Sequence, residues 1–158
     1  MKKSSRRHTV HFYQMRLFHY RVSLFEAMRK IADENNIDLH LVCGQPSKSA
    51  ATRKDEGELD WCHKVENIYI PIEERKDLCW QPTPEGLPAP DLVVVMQENR
   101  ILSNYRWLLR RIFGGTKVAY WGHGRDLQSA NPNSLRNRFK RGLVAYTDWY
   151  FGYTELTR

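Results

Sequence analysis

Apolar residues along this chain switch repeatedly between short β-rich runs and stripes at helical spacing. Thr9 to Tyr13 predicts a first strand. A polar and aromatic stretch, Gln14 to His19, then leads to a helix that starts near Tyr20 or Arg21. Leu24, Phe25, Met28, Ile31 and Ala32 predict its apolar face. Asn35-Asn36 ends that helix, and Ile37 to Cys43 reads as a second strand closed by Gly44. Gln45 to Lys64 is polar and rich in small residues, which predicts a long loop with room for a helical turn. Val65 to Ile70 reads as a third strand, with Pro71 after it.

The stretch holding Pro82, Pro84, Pro88 and Pro90 excludes a regular element. Asp91 to Gln97 follows as a fourth strand. Its continuous apolar centre suits a strand buried on both faces of a parallel sheet. Ile101, Leu102, Tyr105, Leu108, Leu109 and Ile112 form the cleanest helical stripe, with Arg110 and Arg111 in the last turn, where cations favour the helix dipole. Gly114-Gly115 supplies the stop. Thr116 to Trp121 is a fifth strand. Asn133 or Ser134 can cap a helix that buries Leu135, Phe139, Leu143 and Tyr146. Trp149 to Tyr153 is a sixth strand.

Strands alternating with helices predict an α/β fold, a Rossmann-like, doubly wound and mostly parallel sheet with the first and fourth strands adjacent at the switch point. Residues 1–158 read as one domain without internal repeats.

In such a sheet, ligands bind outside the carboxyl ends of the strands. That rule selects the loops after the first, fourth, fifth and sixth strands. Arg16, Arg21, Glu98, Asn99, His123 and Glu155 are therefore expected to gather at one edge. The segment Trp121-Gly122-His123-Gly124-Arg125-Asp126 sets a histidine between two glycines after a buried strand. Glycine permits close approach of a ligand, and histidine can donate a hydrogen bond or shuttle a proton near neutral pH. A tight turn whose histidine meets water explains the same residues. The loop after the first strand has no Gly-x-Gly-x-x-Gly fingerprint, which argues against a nucleotide dehydrogenase. It offers Arg16, His19 and Arg21 beside Phe18 and Tyr20, a mix able to grip an anionic or sugar ligand. Alternatively, the aromatics are core and Arg21 pairs with a nearby acid.

Composition narrows this picture. The net charge of +7 favours an anionic partner. Arg136, Arg138, Lys140 and Arg141, interleaved with apolar residues, read either as a solvated helix face or as a contact for an anionic membrane surface. With 41% hydrophobic and 27% charged residues the chain is neither disordered nor membrane-spanning by composition, and its longest apolar run is Leu92 to Met96. Lys2-Lys3 and Arg6-Arg7 open the chain with no apolar signal segment behind them, so a cytoplasmic location is expected. Cys43, Cys62 and Cys79 form no Cys-x-x-Cys pair, which argues against a zinc site or a disulfide framework.

Four segments together resemble the large retaining family of bacterial GT-B glycosyltransferases. Tyr20-Arg21-Val22-Ser23-Leu24-Phe25-Glu26-Ala27-Met28 is similar to the Tyr-Arg pair and apolar helix with which these often open. Asp91 to Val95 resembles their fourth strand, Val118 to Gly124 their fifth strand with a Gly-His turn, and Asp148 to Thr154 their sixth strand. The resemblance implies an amino-terminal, acceptor-side domain whose partners are a nucleotide-sugar donor and a glycan or lipid-linked acceptor. It also implies a second, donor-binding domain outside residues 1–158. His123 is implied to position the transferred sugar, with Arg16, Tyr20, Arg21, Glu98, Asn99, Gly122, Gly124, Arg125 and Glu155 as sugar contacts. No metal and no cofactor are implied, since the nucleotide-sugar is a substrate. No nucleic acid is expected, although a basic, aromatic module that stacks RNA bases stays open as the alternative, as does a stand-alone interaction domain.

Overall fold

The structure, a computed structural model, describes residues 6–48, 51, 54–73, 76–122 and 135–152. The elements are β1 (His8–Gln14), a 3₁₀ turn (His19–Arg21), α1 (Val22–Glu34), β2 (Ile37–Gly44), β3 (His63–Val65), β4 (Ile68–Glu73), β5 (Lys76–Trp80), β6 (Leu92–Met96), α2 (Ser103–Ile112), β7 (Lys117–Gly122), α3 (Leu135–Val144) and β8 (Trp149–Gly152). Six strands form one sheet in the order β3-β2-β1-β6-β7-β8, and every pairing in it is parallel. Counting only the strands of this sheet, the order is 3-2-1-4-5-6, compatible with a Rossmann-like arrangement. The expected adjacency of the first and fourth strands holds, with Val10 opposite Leu92 and Phe12 opposite Val94.

The alternation of side chains along each strand makes two cores. Phe12, Leu41, Cys43, Val94 and Ala119 point to one face and pack with Phe25 of α1. Tyr13, Val42, Val93, Val95, Val118 and Tyr120 point to the other, where α2 brings Trp107 and Leu108 and α3 brings Leu143. Apolar residues at consecutive positions are thus consumed on both faces, as a doubly covered sheet requires. Asn36, at φ 60°, and Gly114, at φ 79°, turn the chain after α1 and α2. These are the left-handed positions that glycine and asparagine tolerate best.

Three expectations need correction. The run Val65 to Ile70 is not one strand. It breaks at Glu66-Asn67, and β4 leaves the sheet to pair antiparallel with β5, a strand the sequence reading did not foresee. Buried Asn67 causes the break, because its carboxamide donates to the carbonyls of Met15 at 2.7 Å and Gln45 at 3.0 Å. The helical stripes are also narrower than expected. On α1, Phe25 and Ala32 are buried while Leu24 and Ile31 are exposed. On α2, Trp107, Leu108, Ser103 and Asn104 are buried while Leu109 and Ile112 face solvent. Finally, Phe139 and Tyr146 are exposed, and of the described apolar residues of α3 only Leu143 and Val144 pack against the core. Leu135 has no described side-chain environment.

Candidate functional site

The carboxyl end of β1, where the strand order reverses, is filled by the protein itself. Gln14 is fully buried there. Its side-chain carbonyl accepts from Arg21 at 2.5 Å, and its main-chain carbonyl accepts from the Gln81 amide at 2.8 Å. Gln81, also buried, is held in turn by the Ser103 hydroxyl, which accepts its N–H at 3.2 Å. The β4–β5 hairpin is stitched alongside, with Cys79 N–H donating to Arg100 and Leu102 N–H donating to Cys79. No glycine-rich loop follows β1. The turn before α1 instead carries Arg21, a cation, where an anion site would need open N–H groups.

Among the described residues, an open space lies to one side, over β2 and β3. A cleft of about 410 Å³ is lined by Arg16, Gln45, Glu58 and Lys64, with Leu17 and Leu59 as apolar walls. Its outer wall, the segment Asp55 to Leu59, is fixed to the sheet by several contacts. Arg16, 5% exposed, pairs with both carboxylate oxygens of Asp55, at 2.8 and 3.3 Å, and lies over the Phe18 ring at 4.3 Å. Main-chain bonds run from His19 N–H to the Asp55 carbonyl and from Gly57 N–H to the Leu17 carbonyl. Gly57 allows this approach, because a Cβ there would run into Val22 and the His19 backbone. Gln45 is held by Asn67, whose N–H donates to its side-chain oxygen at 2.7 Å, while its amide donates to the Asn67 carbonyl. Lys64 pairs with Glu58 at 2.7 Å at the mouth, where both are exposed. Cys43 and Cys62 also line the cleft. Their mutual hydrogen bond, with burial, pushes the Cys43 thiol far above its ordinary range, which leaves it a protonated, unreactive group. Such a cleft presents fixed donors and acceptors beside apolar patches, the surface that a polyhydroxylated molecule needs.

The sequence-predicted residues fare differently from one another. Arg16 lines this cleft. Arg21 does not; it is turned to Gln14 and stacks near Phe18 and Tyr20. Tyr20 is exposed and stacked on Phe18 at 5.2 Å. Glu98 and Asn99 follow β6, across the filled switch point from the cleft. Glu98 pairs with Arg100 at 3.2 Å, and the Asn99 carbonyl accepts from Tyr105. Gly122 has a packing reason to be glycine, since a Cβ would meet Gln97 and the Tyr150 hydroxyl, each at 2.9 Å. Tyr150 in turn donates to the Gln97 side chain at 2.7 Å. His123, Gly124, Arg125 and Glu155 lie outside the described residues. The described members thus follow the carboxyl ends of the neighbouring parallel strands β1 and β6, Arg16 on the side of β2 and Glu98 and Asn99 after β6.

Gln45, Glu58 and Lys64 were missed. The carboxyl-end rule, applied to the second and third strands as well, selects Gln45 directly. Of the basic α3 run, Arg138 is exposed, and the side chains of Arg136, Lys140 and Arg141 lie outside the described set. Among the described residues no group of three or more His, Cys, Asp or Glu is placed to hold a metal ion, and no helix is long and apolar enough to cross a membrane. Compared with known proteins, the chain matches no protein-family model, no curated protein and no solved structure.

Proposed function

We propose that this chain is the acceptor-side half of a GT-B glycosyltransferase, one that moves a sugar from a nucleotide-sugar to a glycan or lipid-linked acceptor. One observation carries the reading. Among the described residues, the carboxyl end of β1, where a Rossmann-like sheet ordinarily seats a nucleotide, is occupied by the mutually bonded Gln14, Gln81 and Arg21, and a polar cleft opens beside it over β2 and β3. A domain built this way is poorly suited to a pyrophosphate and well suited to a hydroxylated acceptor. In this reading Gln45, Glu58 and Lys64 orient the acceptor, Arg16 and Asp55 hold the wall of its cleft, and a second domain carries the nucleotide. Retaining transfer also needs stabilisation of the leaving phosphate and the cationic sugar, which the second domain supplies for the most part.

Two assays test this. On an array of glycans and lipid-linked sugars the chain should retain a subset that RNA does not displace. Offered radiolabelled nucleotide-sugars with a retained acceptor, residues 1–158 alone should transfer no measurable label, because donor positioning is missing. A blank array with strong RNA retention would favour the nucleic-acid alternative, and robust turnover would place the donor site on this chain.

A further inference from the structure

Three histidines lie side by side across three neighbouring strands: His11 on β1, His40 on β2 and His63 on β3. His11 and His40 are direct partners in the parallel ladder, with ring centroids 5.4 Å apart. His40 and His63 are joined by a contact of 3.2 Å between Nδ1 and Nε2, and His40 Nε2 lies 3.1 Å from an oxygen of Asp38. This chain of contacts fixes the hydrogens. The Asp38 carboxylate can only accept, so His40 carries its hydrogen on Nε2. Neutral His40 then offers a lone pair at Nδ1, and His63 must donate from Nε2.

We infer that Asp38, His40 and His63 form a proton-operated latch that holds β3, and with it the inner wall of the cleft, against β2. The latch tolerates one proton and rejects two. A first proton placed on His40 Nδ1 reverses the bond: His40 donates on both sides, to Asp38 and to His63 Nε2, and the His63 hydrogen moves to Nδ1. A second proton would set two N–H groups against each other, with no acceptor between two cations.

The surroundings make the second charge harder to accept. His11 is 1% exposed, and neither of its ring nitrogens makes a hydrogen bond of good geometry. Burial first, then His40 and His63, hold it down to about 4, while the Pro88 carbonyl and Asp38 work the other way. Burial and His40 likewise lower His63. From α1, Arg29 and Asp33 face the same hollow. Asp33 is already paired with Arg7 at 2.6 Å, and Arg29 lies over Trp61 at 4.9 Å. Lys64, beside His63, is paired with Glu58. On the His11 side stands Tyr13, bonded to Thr83 and neutral throughout this range. Asp38 is thus the carboxylate in direct contact with the pair, and it compensates one charge.

The consequence is local, because β3 is only three residues long and touches β2 at three register positions. Two of its residues, Lys64 and Val65, line the cleft. The sign follows from the depressed affinity. The open state binds the second proton at the ordinary imidazole value and the latched state does not, so the latch is fully closed above that value and weakens as pH falls below it. Nothing in this depends on what the cleft binds.

Amide hydrogen exchange on the whole chain, corrected for intrinsic rates, tests the latch. Protection of β3 and the facing residues of β2 should fall between about pH 7.5 and about pH 4.5, by at most about tenfold for each unit below about 6.5. The loss should keep its size in dilute urea, as a local opening does. His63→Asn and His40→Gln should each flatten the dependence. Ring-nitrogen spectra of the unmodified protein should show that the two rings do not become cations together while β3 stays paired. This last readout decides the matter even if both variants fail to fold. Two rings that titrate independently near the ordinary value would overturn the proposal. So would pH-independent protection of β3, or a loss that dilute urea accelerates as strongly there as at Val118.

Discussion

Asp55→Ala is expected to destabilise the fold by about 3 kcal/mol, the low end for breaking a buried ion pair. Arg16 is the reason. Its guanidinium is almost fully out of water, with side-chain exposure of 6%, whereas Asp55 keeps 29%. Removing the carboxylate strands a cation between Phe18 and the cleft wall, without the water it would need. The partly wet Asp55 lets some water in, which keeps the cost below that of a fully buried pair. The second variant separates charge from packing. Arg16→Met in the Asp55→Ala background removes the stranded cation but keeps most of the apolar stem, and should recover about 2 kcal/mol. Urea unfolding of the two variants and the parent measures both steps. A cost of Asp55→Ala within about 0.5 kcal/mol would mean that the pair contributes no more than an ordinary surface bridge.

Gly44→Ala is expected to cost about 3 kcal/mol for a different reason. A Cβ on Gly44 would coincide with the Asn67 carboxamide. The carboxamide must leave; the Met15 carbonyl then loses that donor, and the Gln45 carbonyl keeps only the Tyr69 hydroxyl. Overpacking and unmade buried bonds each cost about 1–3 kcal/mol. Asn67→Ala alone should cost about 2 kcal/mol through the lost bonds. The double variant should cost hardly more than Asn67→Ala, since the alanine at 44 then has room. The two changes therefore couple by well over 1 kcal/mol. Additive costs would show that Gly44 and Asn67 do not compete for the same space.

These two sites also mark what the sequence could and could not disclose. The parallel sheet was legible from the alternation of strands and helices and from Val93-Val94-Val95, apolar at consecutive positions, the mark of a strand covered on both faces that Phe12-Tyr13 and Leu41-Val42 share. The ends of α1 and α2 were legible from Asn36 and Gly114, whose left-handed backbone few residues accept. The β4–β5 hairpin was not. Ile68, Ile70 and Ile72 alternate as a buried strand would, yet all three face solvent. Asn67 helps divert the chain, through contacts with residues 52 and 22 positions away. On α2 the apolar pattern misplaced the buried face, because polar Ser103 and Asn104 are buried to bind Gln81 and the Met96 carbonyl. Hydrophobicity cannot reveal a polar residue buried to satisfy backbone. The cleft was hidden for a related reason: its wall comes from a polar loop that only the Arg16–Asp55 pair and scattered main-chain bonds bring home.

Amide chemical-shift mapping of the labelled chain tests the acceptor cleft most directly. A glycan or lipid-linked sugar retained by the chain should shift Gly44, Gln45, Gly57, Leu59 and Lys64, and a nucleoside diphosphate should shift none of them appreciably. Lys64→Ala, which removes only an exposed pair and should leave stability within about 0.5 kcal/mol, should weaken the sugar about tenfold. Shifts centred instead on Gln14, Gln81 and Gln97 with the nucleoside diphosphate, and none over β2 and β3 with any sugar, would contradict the assignment.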